Sequence, residues 1–100
     1  MIIAGDIGGT KTNVALFRAE GSRVGRPVVQ QSFPSARYGS LEDILGEFVA
    51  AQKPEAITHA CFGVAGPVVR GRVEATNLAW KVSDESLAAK LGVPRVRLIN

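Results

Sequence analysis

One hundred residues, 46% of them hydrophobic, make about one domain's worth of chain with enough apolar side chains to bury a core. The net charge of +3 is dispersed: Arg18, Arg23, Arg26, Arg37, Arg70, Arg72, Arg95 and Arg97 stand singly or in spaced pairs with no interleaved aromatics, which argues against a nucleic-acid-binding stripe. The single cysteine, Cys61, leaves no internal disulfide and no zinc pair, and Asp6 interrupts the first apolar run, so neither a signal peptide nor a membrane span is read; a soluble cytoplasmic protein is expected.

Ile2 to Asp6 is a short apolar run leading into Gly8-Gly9, which predicts a buried strand entering a tight turn. Lys11 to Glu20 alternates, with Val14 and Leu16 against Asn13, Ala15 and Phe17, so the two strands are expected to pair as an antiparallel hairpin. Glu20-Gly21-Ser22 reads as the next turn and Val24 to Phe33 as a third strand, placed at a sheet edge by Pro27. Ser40 is a helix cap for an apolar stripe of Leu41, Ile44, Leu45, Phe48 and Val49, with Glu42 and Asp43 in the first turn and Lys53-Pro54 at the end.

Ala56 to Val64 reads as a fourth, buried strand, and Val68 to Val73 as a small hairpin around Gly71. Ser83 caps a second helix that opens with Asp84 and Glu85 and stops at Gly92; Val96 to Asn100 is the fifth strand. The order is β-β-β-α-β-α-β, which implies an α/β fold with a five-stranded mixed sheet. The last strand has nothing after it to cover its side of the sheet, so the chain reads as truncated.

The chemistry is concentrated in Gly5-Asp6-Ile7-Gly8-Gly9-Thr10-Lys11-Thr12. It is not a Walker loop, because Thr10 stands where the glycine before Lys-Thr is required and a strand, not a helix, follows. The dinucleotide GxGxxG fails on spacing and on the same missing helix. A glycine hairpin can still form an anion nest if Gly8 and Gly9 adopt positive φ and let successive N–H groups converge. Thr10 adds a hydroxyl, Lys11 a charge, and Asp6 a carboxylate placed to meet Mg²⁺ through water. The spacing alone is equally that of a plain hairpin turn.

Asp6-Ile7-Gly8-Gly9-Thr10 at the start of a β-β-β-α-β-α-β chain resembles the first phosphate motif of the sugar kinase, actin and Hsp70 superfamily. Phe62-Gly63-Val64-Ala65-Gly66-Pro67-Val68 and Ala75-Thr76-Asn77-Leu78-Ala79-Trp80 are similar to the two sugar-side segments of bacterial glucokinases, and Leu98-Ile99-Asn100 resembles the start of their Leu-Ile-Asn-Asp motif. The resemblance implies a ribonuclease H-like (actin-like ATPase) lobe, with residues 1–100 forming the amino-terminal part of the small lobe of a two-lobe sugar kinase, the second lobe being absent. It implies ATP-dependent phosphorylation of glucose, with Mg²⁺. It assigns Gly5, Asp6, Ile7, Gly8, Gly9 and Thr10 to ATP, Asp6 to the metal neighbourhood through water, and Asn100, Asn77, Gly66 and Pro67 to the sugar. The general-base aspartate would follow Asn100 directly, so no catalytic residue falls within these 100.

Neither nucleic acid nor membrane is an expected partner. Three alternatives stand beside this reading: another hexose kinase of the wider family, a sugar-responsive repressor of that family, and a non-catalytic fragment that forms a homodimer through its exposed sheet. The remaining polar candidates have plainer roles. His59 is expected mid-strand in the core or on a sheet face, and Cys61 as a small buried hydrophobe. Trp80 reads equally as a lid over the sugar and as a core plug. Asn77 reads as ligand contact or as a turn residue bonding its own backbone, and Asn100 by itself as an ordinary strand-end cap.

Overall fold

The computed structural model describes residues 1–20, 23–74, 78 and 80–100. Strand β1 (Ile2–Ile7) pairs antiparallel with β2 (Lys11–Glu20), in the register Ile2↔Phe17 to Ile7↔Thr12, as the alternation and the glycine turn predict. Strand β3 (Arg23–Pro34) pairs antiparallel with β2 and forms an edge of the sheet, as Pro27 demands. The register slips between Leu16 and Phe17, opposite Val29 and Pro27, so the edge strand bulges where a ladder N–H is missing. The turn read at Gly21-Ser22 lies outside the described residues.

Helix α1 (Leu41–Gln52) starts where Ser40 Oγ accepts the Asp43 N–H at 3.2 Å. It ends at Lys53, whose left-handed backbone (φ 46°) returns its N–H to the Val49 carbonyl. Leu41, Ile44, Leu45 and Phe48 are buried and Val49 partly so, which is the stripe the sequence presents. Strand β4 (His59–Val64) runs parallel to β1 and begins three residues later than the expected Ala56. The reason lies in its partner. The β1 ladder starts at Ile2↔His59, and before it Met1 is spent on Ala56 and Thr58: its ammonium donates to the Ala56 carbonyl, and its own carbonyl accepts the Thr58 N–H.

Between β4 and the second helix lies a two-stranded unit, β5 (Arg72–Glu74) against β6 (Lys81–Ser83). The hairpin expected around Gly71 is reduced to a single bridge, Val69↔Arg72, and Arg72–Glu74 takes Lys81–Ser83 as its partner instead. No local pattern marks three residues as a strand when the partner is remote. Helix α2 (Asp84–Leu91) is capped by Ser83 and closed by Gly92 at φ 68°. Strand β7 (Val96–Ile99) then pairs parallel with β4, one residue short of the predicted Asn100. The five-stranded mixed sheet has the order β3-β2-β1-β4-β7, so the α/β fold class holds.

Both helices bury their apolar residues with one face of this sheet, the face of Ile3, Ile7, Val14, Leu16, Ala60, Phe62, Val64, Val96 and Leu98. The period of two leaves Ala4, Asp6, Asn13, Cys61 and Ile99 on the opposite face, none of them buried. A 3₁₀ turn, Ser35–Arg37, joins β3 to the α1 cap; three residues with no apolar period give no sequence signal for it. Just beyond it, the Tyr38 hydroxyl donates to the Glu47 carboxylate at 2.6 Å. That bond, with burial and the Glu47 charge behind it, raises the Tyr38 pKa above its ordinary 10.0. The stabilisation is therefore complete below about pH 10 and lost as pH rises through the raised value. Tyr38 is the chain's single tyrosine, so its tyrosinate absorbance can be titrated directly; Glu47→Gln is expected to move the transition back toward 10.0.

Candidate functional site

Strands β1, β4 and β7 are parallel, with Asp6 opposite Gly63 and Gly63 opposite Ile99, so their carboxyl ends lie side by side. The segments leaving them are Gly8–Thr10, Ala65–Pro67 and Asn100. Ligands in open α/β sheets occupy the crevice outside such strand ends. The sheet thus gathers the predicted phosphate residues and three of the four predicted sugar residues at one edge. The Asn100 side-chain amide donates to the Gly66 carbonyl at 2.5 Å, tying two of them directly. Gly66 sits at φ 128°, a backbone that favours glycine, which explains the residue type there. Asn77 lies outside the described residues.

The loop from Gly8 to Lys11 closes with the Gly8 N–H donating to the Lys11 carbonyl at 2.9 Å. Positive φ occurs at Gly66, Gly71 and Gly92 among the described glycines, and not at Gly8 or Gly9, so the nest conformation expected there is corrected. Close approach, not handedness, requires Gly8: a Cβ on it would lie 2.9 Å from the Lys11 carbonyl oxygen. Gly9 and Thr10 are exposed, and their backbone N–H groups and the Thr10 hydroxyl have no protein partner among the described residues. These are open donors on a tight turn, free to meet an anion.

Gly5 and Ile7 serve the loop from behind. A Cβ on Gly5 would come within 2.7 Å of the Phe62 ring, so this glycine lets β1 and the core ring meet closely. The Ile7 side chain is buried, which leaves only its backbone to face a ligand. Asp6 is exposed, and its Oδ1 lies 3.9 Å from where a Cβ on Gly63 would stand, so small residues keep the space beside the carboxylate open. Among the described residues no three His, Cys, Asp or Glu side chains cluster around a metal position. One isolated carboxylate suits Mg²⁺, which keeps its waters and takes its other ligands from substrate phosphates.

Pro67 lines an open groove of about 560 Å³ together with Val69, Arg72, Val73, Lys81 and Val82, beside the β5–β6 unit. Trp80 is buried in the core and its indole N–H donates to the Tyr38 carbonyl at 3.1 Å, so it is a core plug with a satisfied polar edge. His59 opens β4 instead of standing mid-strand; it is exposed, with its Nδ1 2.9 Å from the Thr58 hydroxyl. Cys61 is half-buried, because both described helices pack on the other face of the sheet. Sequence reasoning missed Ser35 and the buried role of Thr12, which are both fully buried and bonded to each other, with Ser35 also bonded to the Gly8 carbonyl of the Gly8–Lys11 loop. A period-two strand with Thr on its apolar face was the only available hint of them.

A family model described as Glucokinase matches residues 3–100. The glucokinase of Nostoc punctiforme is 38% identical over all of this chain, which corresponds to 29% of that relative. The solved structure of a glucokinase from an Antarctic psychrotroph superposes with a TM-score of 0.86 at 30% identity, over 99% of this chain and 31% of that one. A ROK family glucokinase from Streptomyces griseus, solved in complex with glucose and AMPPNP, has the same fold at 24% identity, with a TM-score of 0.68 over 95% of this chain and 31% of that one. The chain spans 29–30% of the length of the curated relatives it matches.

Proposed function

The chain belongs to the glucokinase family, and from that membership we propose that the full-length protein transfers the γ-phosphoryl group of ATP to the 6-hydroxyl of glucose. These 100 residues, the amino-terminal part of its small lobe, carry the phosphate loop and part of the sugar site. The observation that supports this reading most directly is the convergence of Gly8–Thr10, Gly66–Pro67 and Asn100 at the carboxyl ends of three adjacent parallel strands. Phosphate donors and a sugar-side amide on one sheet edge suit a reaction in which a phosphoryl group passes between two bound substrates.

Phosphoryl transfer runs through a loose transition state, so the protein's work is positioning and charge neutralisation. The open N–H groups of Gly9 and Thr10 would receive phosphate oxygens, and the Thr10 hydroxyl would add a donor. Mg²⁺ bound with ATP neutralises charge on the phosphates, and Asp6 would hold it through water. Asn100, with its amide N–H already engaged by Gly66, would present its carbonyl oxygen to a sugar hydroxyl as an acceptor. The general base would be the aspartate that the family resemblance sets immediately after Asn100.

Two substitutions in the full-length protein separate ATP handling from sugar handling. Gly9→Val sets a branched Cβ beside an open N–H and should raise the KM for ATP tenfold or more, about 1.4 kcal/mol upward. Asn100→Ala loses both the sugar contact and the tie to Gly66, and should cost about 1–3 kcal/mol on glucose. Steady-state kinetics with each substrate varied in turn would show the split. If Gly9→Val left ATP kinetics intact and both variants hurt glucose alone, the phosphate-loop reading would be abandoned.

A further inference from the structure

Ser35 is the first residue of the 3₁₀ turn after β3, distant in sequence from the phosphate loop, yet it makes three bonds behind it. Its hydroxyl donates to the Gly8 carbonyl at 2.7 Å and lies 2.8 Å from the Thr12 hydroxyl, while its backbone N–H donates to the Thr10 carbonyl at 3.0 Å. Ser35 and Thr12 are fully buried, and no buried side-chain oxygen or nitrogen among the described residues is left without a partner. With its single proton given to Gly8, the Ser35 oxygen accepts from Thr12.

The Gly8–Gly9 peptide is planar and trans, so its N–H points opposite to its C=O. The Ser35 hydroxyl holds that carbonyl from the buried side and thereby turns the Gly9 N–H away from the core, where it has no protein partner among the described residues. The Ser35 N–H pins the far side of the same turn through Thr10. A buried hydroxyl pair in an apolar core is costly unless satisfied, and here its satisfaction fixes one peptide plane of the loop.

We propose that Ser35 is the positioning residue of the phosphate loop: its buried hydroxyl sets the orientation of the Gly8–Gly9 peptide, and through it the aim of the Gly9 N–H at the phosphates of ATP. This rests on the phosphate-loop reading above. Without the hydroxyl the peptide is free to rotate, and ATP binding must restore an order that the wild type holds in advance.

The test is made in the full-length protein with Ser35→Ala and Ser35→Cys, compared with Ile44→Val, a change on the buried core face of α1. Ser35→Ala should raise the KM for ATP about tenfold and leave the KM for glucose within about twofold. Ser35→Cys, similar in shape but a weaker donor, should fall between wild type and alanine. Ile44→Val should lower Tm and move neither KM. If Ser35→Ala does not fold, the cysteine variant carries the test alone.

An unchanged KM for ATP in a folded Ser35 variant, with Gly9→Val still impaired on ATP, would overturn the role of Ser35 and spare the loop. Unchanged ATP kinetics in both would overturn the loop reading and this proposal together. Equal damage to the KM values of ATP and glucose would reduce Ser35 to a stabilising core residue.

Discussion

Expressed on its own, the 100-residue chain is expected to phosphorylate no glucose at a measurable rate, while the full-length protein turns over. The reason lies in what its strand ends supply. They offer open N–H donors, the Asp6 carboxylate and the Asn100 amide, but the general base that the family resemblance requires is not among them. Loss of a general base typically costs ~10²–10⁴-fold, and a chain spanning 29–30% of the length of its curated relatives is not expected to supply a second lobe to close over the substrates and exclude water. A coupled assay for glucose 6-phosphate, on chain shown by far-ultraviolet circular dichroism to be folded, checks this. Turnover by the isolated chain would reassign the base to a carboxylate within it. Asp6 would be the first to replace, since it is exposed at the same strand ends.

The largest stability effect is expected at Gly71. It turns the chain at φ 74°, its carbonyl accepts the Asp84 N–H at 2.9 Å, and a Cβ on it would lie 2.1 Å from Asp84 Oδ2. Asp84 in turn uses Oδ1 to accept the Glu85 N–H at 2.7 Å, at the start of α2. Gly71→Val therefore forces a β-branched residue into the left-handed region, about 1–2 kcal/mol. It also displaces the carboxylate from the helix start, adding about 1–2 kcal/mol. A loss of roughly 2–4 kcal/mol should appear as a lower urea midpoint with unchanged slope. Asp84→Ala in the same background should recover the part due to overlap, because the two positions touch and their effects cannot add. A loss below about 0.5 kcal/mol would mean that the turn is not docked on α2 as described.

Much of the candidate site was legible because it lies in one short segment. Asp6 to Thr10 are consecutive, so the strand, the turn and the open donors follow from local rules. Gly66 and Asn100 are a different matter. Each is an ordinary loop or strand-end residue alone, and only the parallel pairing of β4 with β1 and β7 brings them together. The conformational reason offered for Gly8 and Gly9 was wrong although their role in a tight turn was right, since the exclusion of Cβ at Gly8 comes from the Lys11 carbonyl and not from φ.

What the sequence by itself determined is the set of long elements and the class of fold. The antiparallel hairpin of β1 and β2, the edge position of β3, both capped helices and the succession of the main strands and helices along the chain follow from periods of 2 and 3.6, from Pro27, and from Ser40 and Ser83. These are forces between residues a few positions apart, and a pattern of side chains records them completely. The tertiary structure alone decided the pairing of Arg72–Glu74 with Lys81–Ser83, the burial of Trp80 against the Tyr38 carbonyl, and the seating of Ser35 behind the Gly8–Lys11 loop. Each of these joins groups from separate stretches of chain through a hydrogen bond whose partner has no fixed offset in sequence. Periodicity cannot encode such a bond; it exists only once the core has set both groups at bonding distance and removed the water that would otherwise satisfy them.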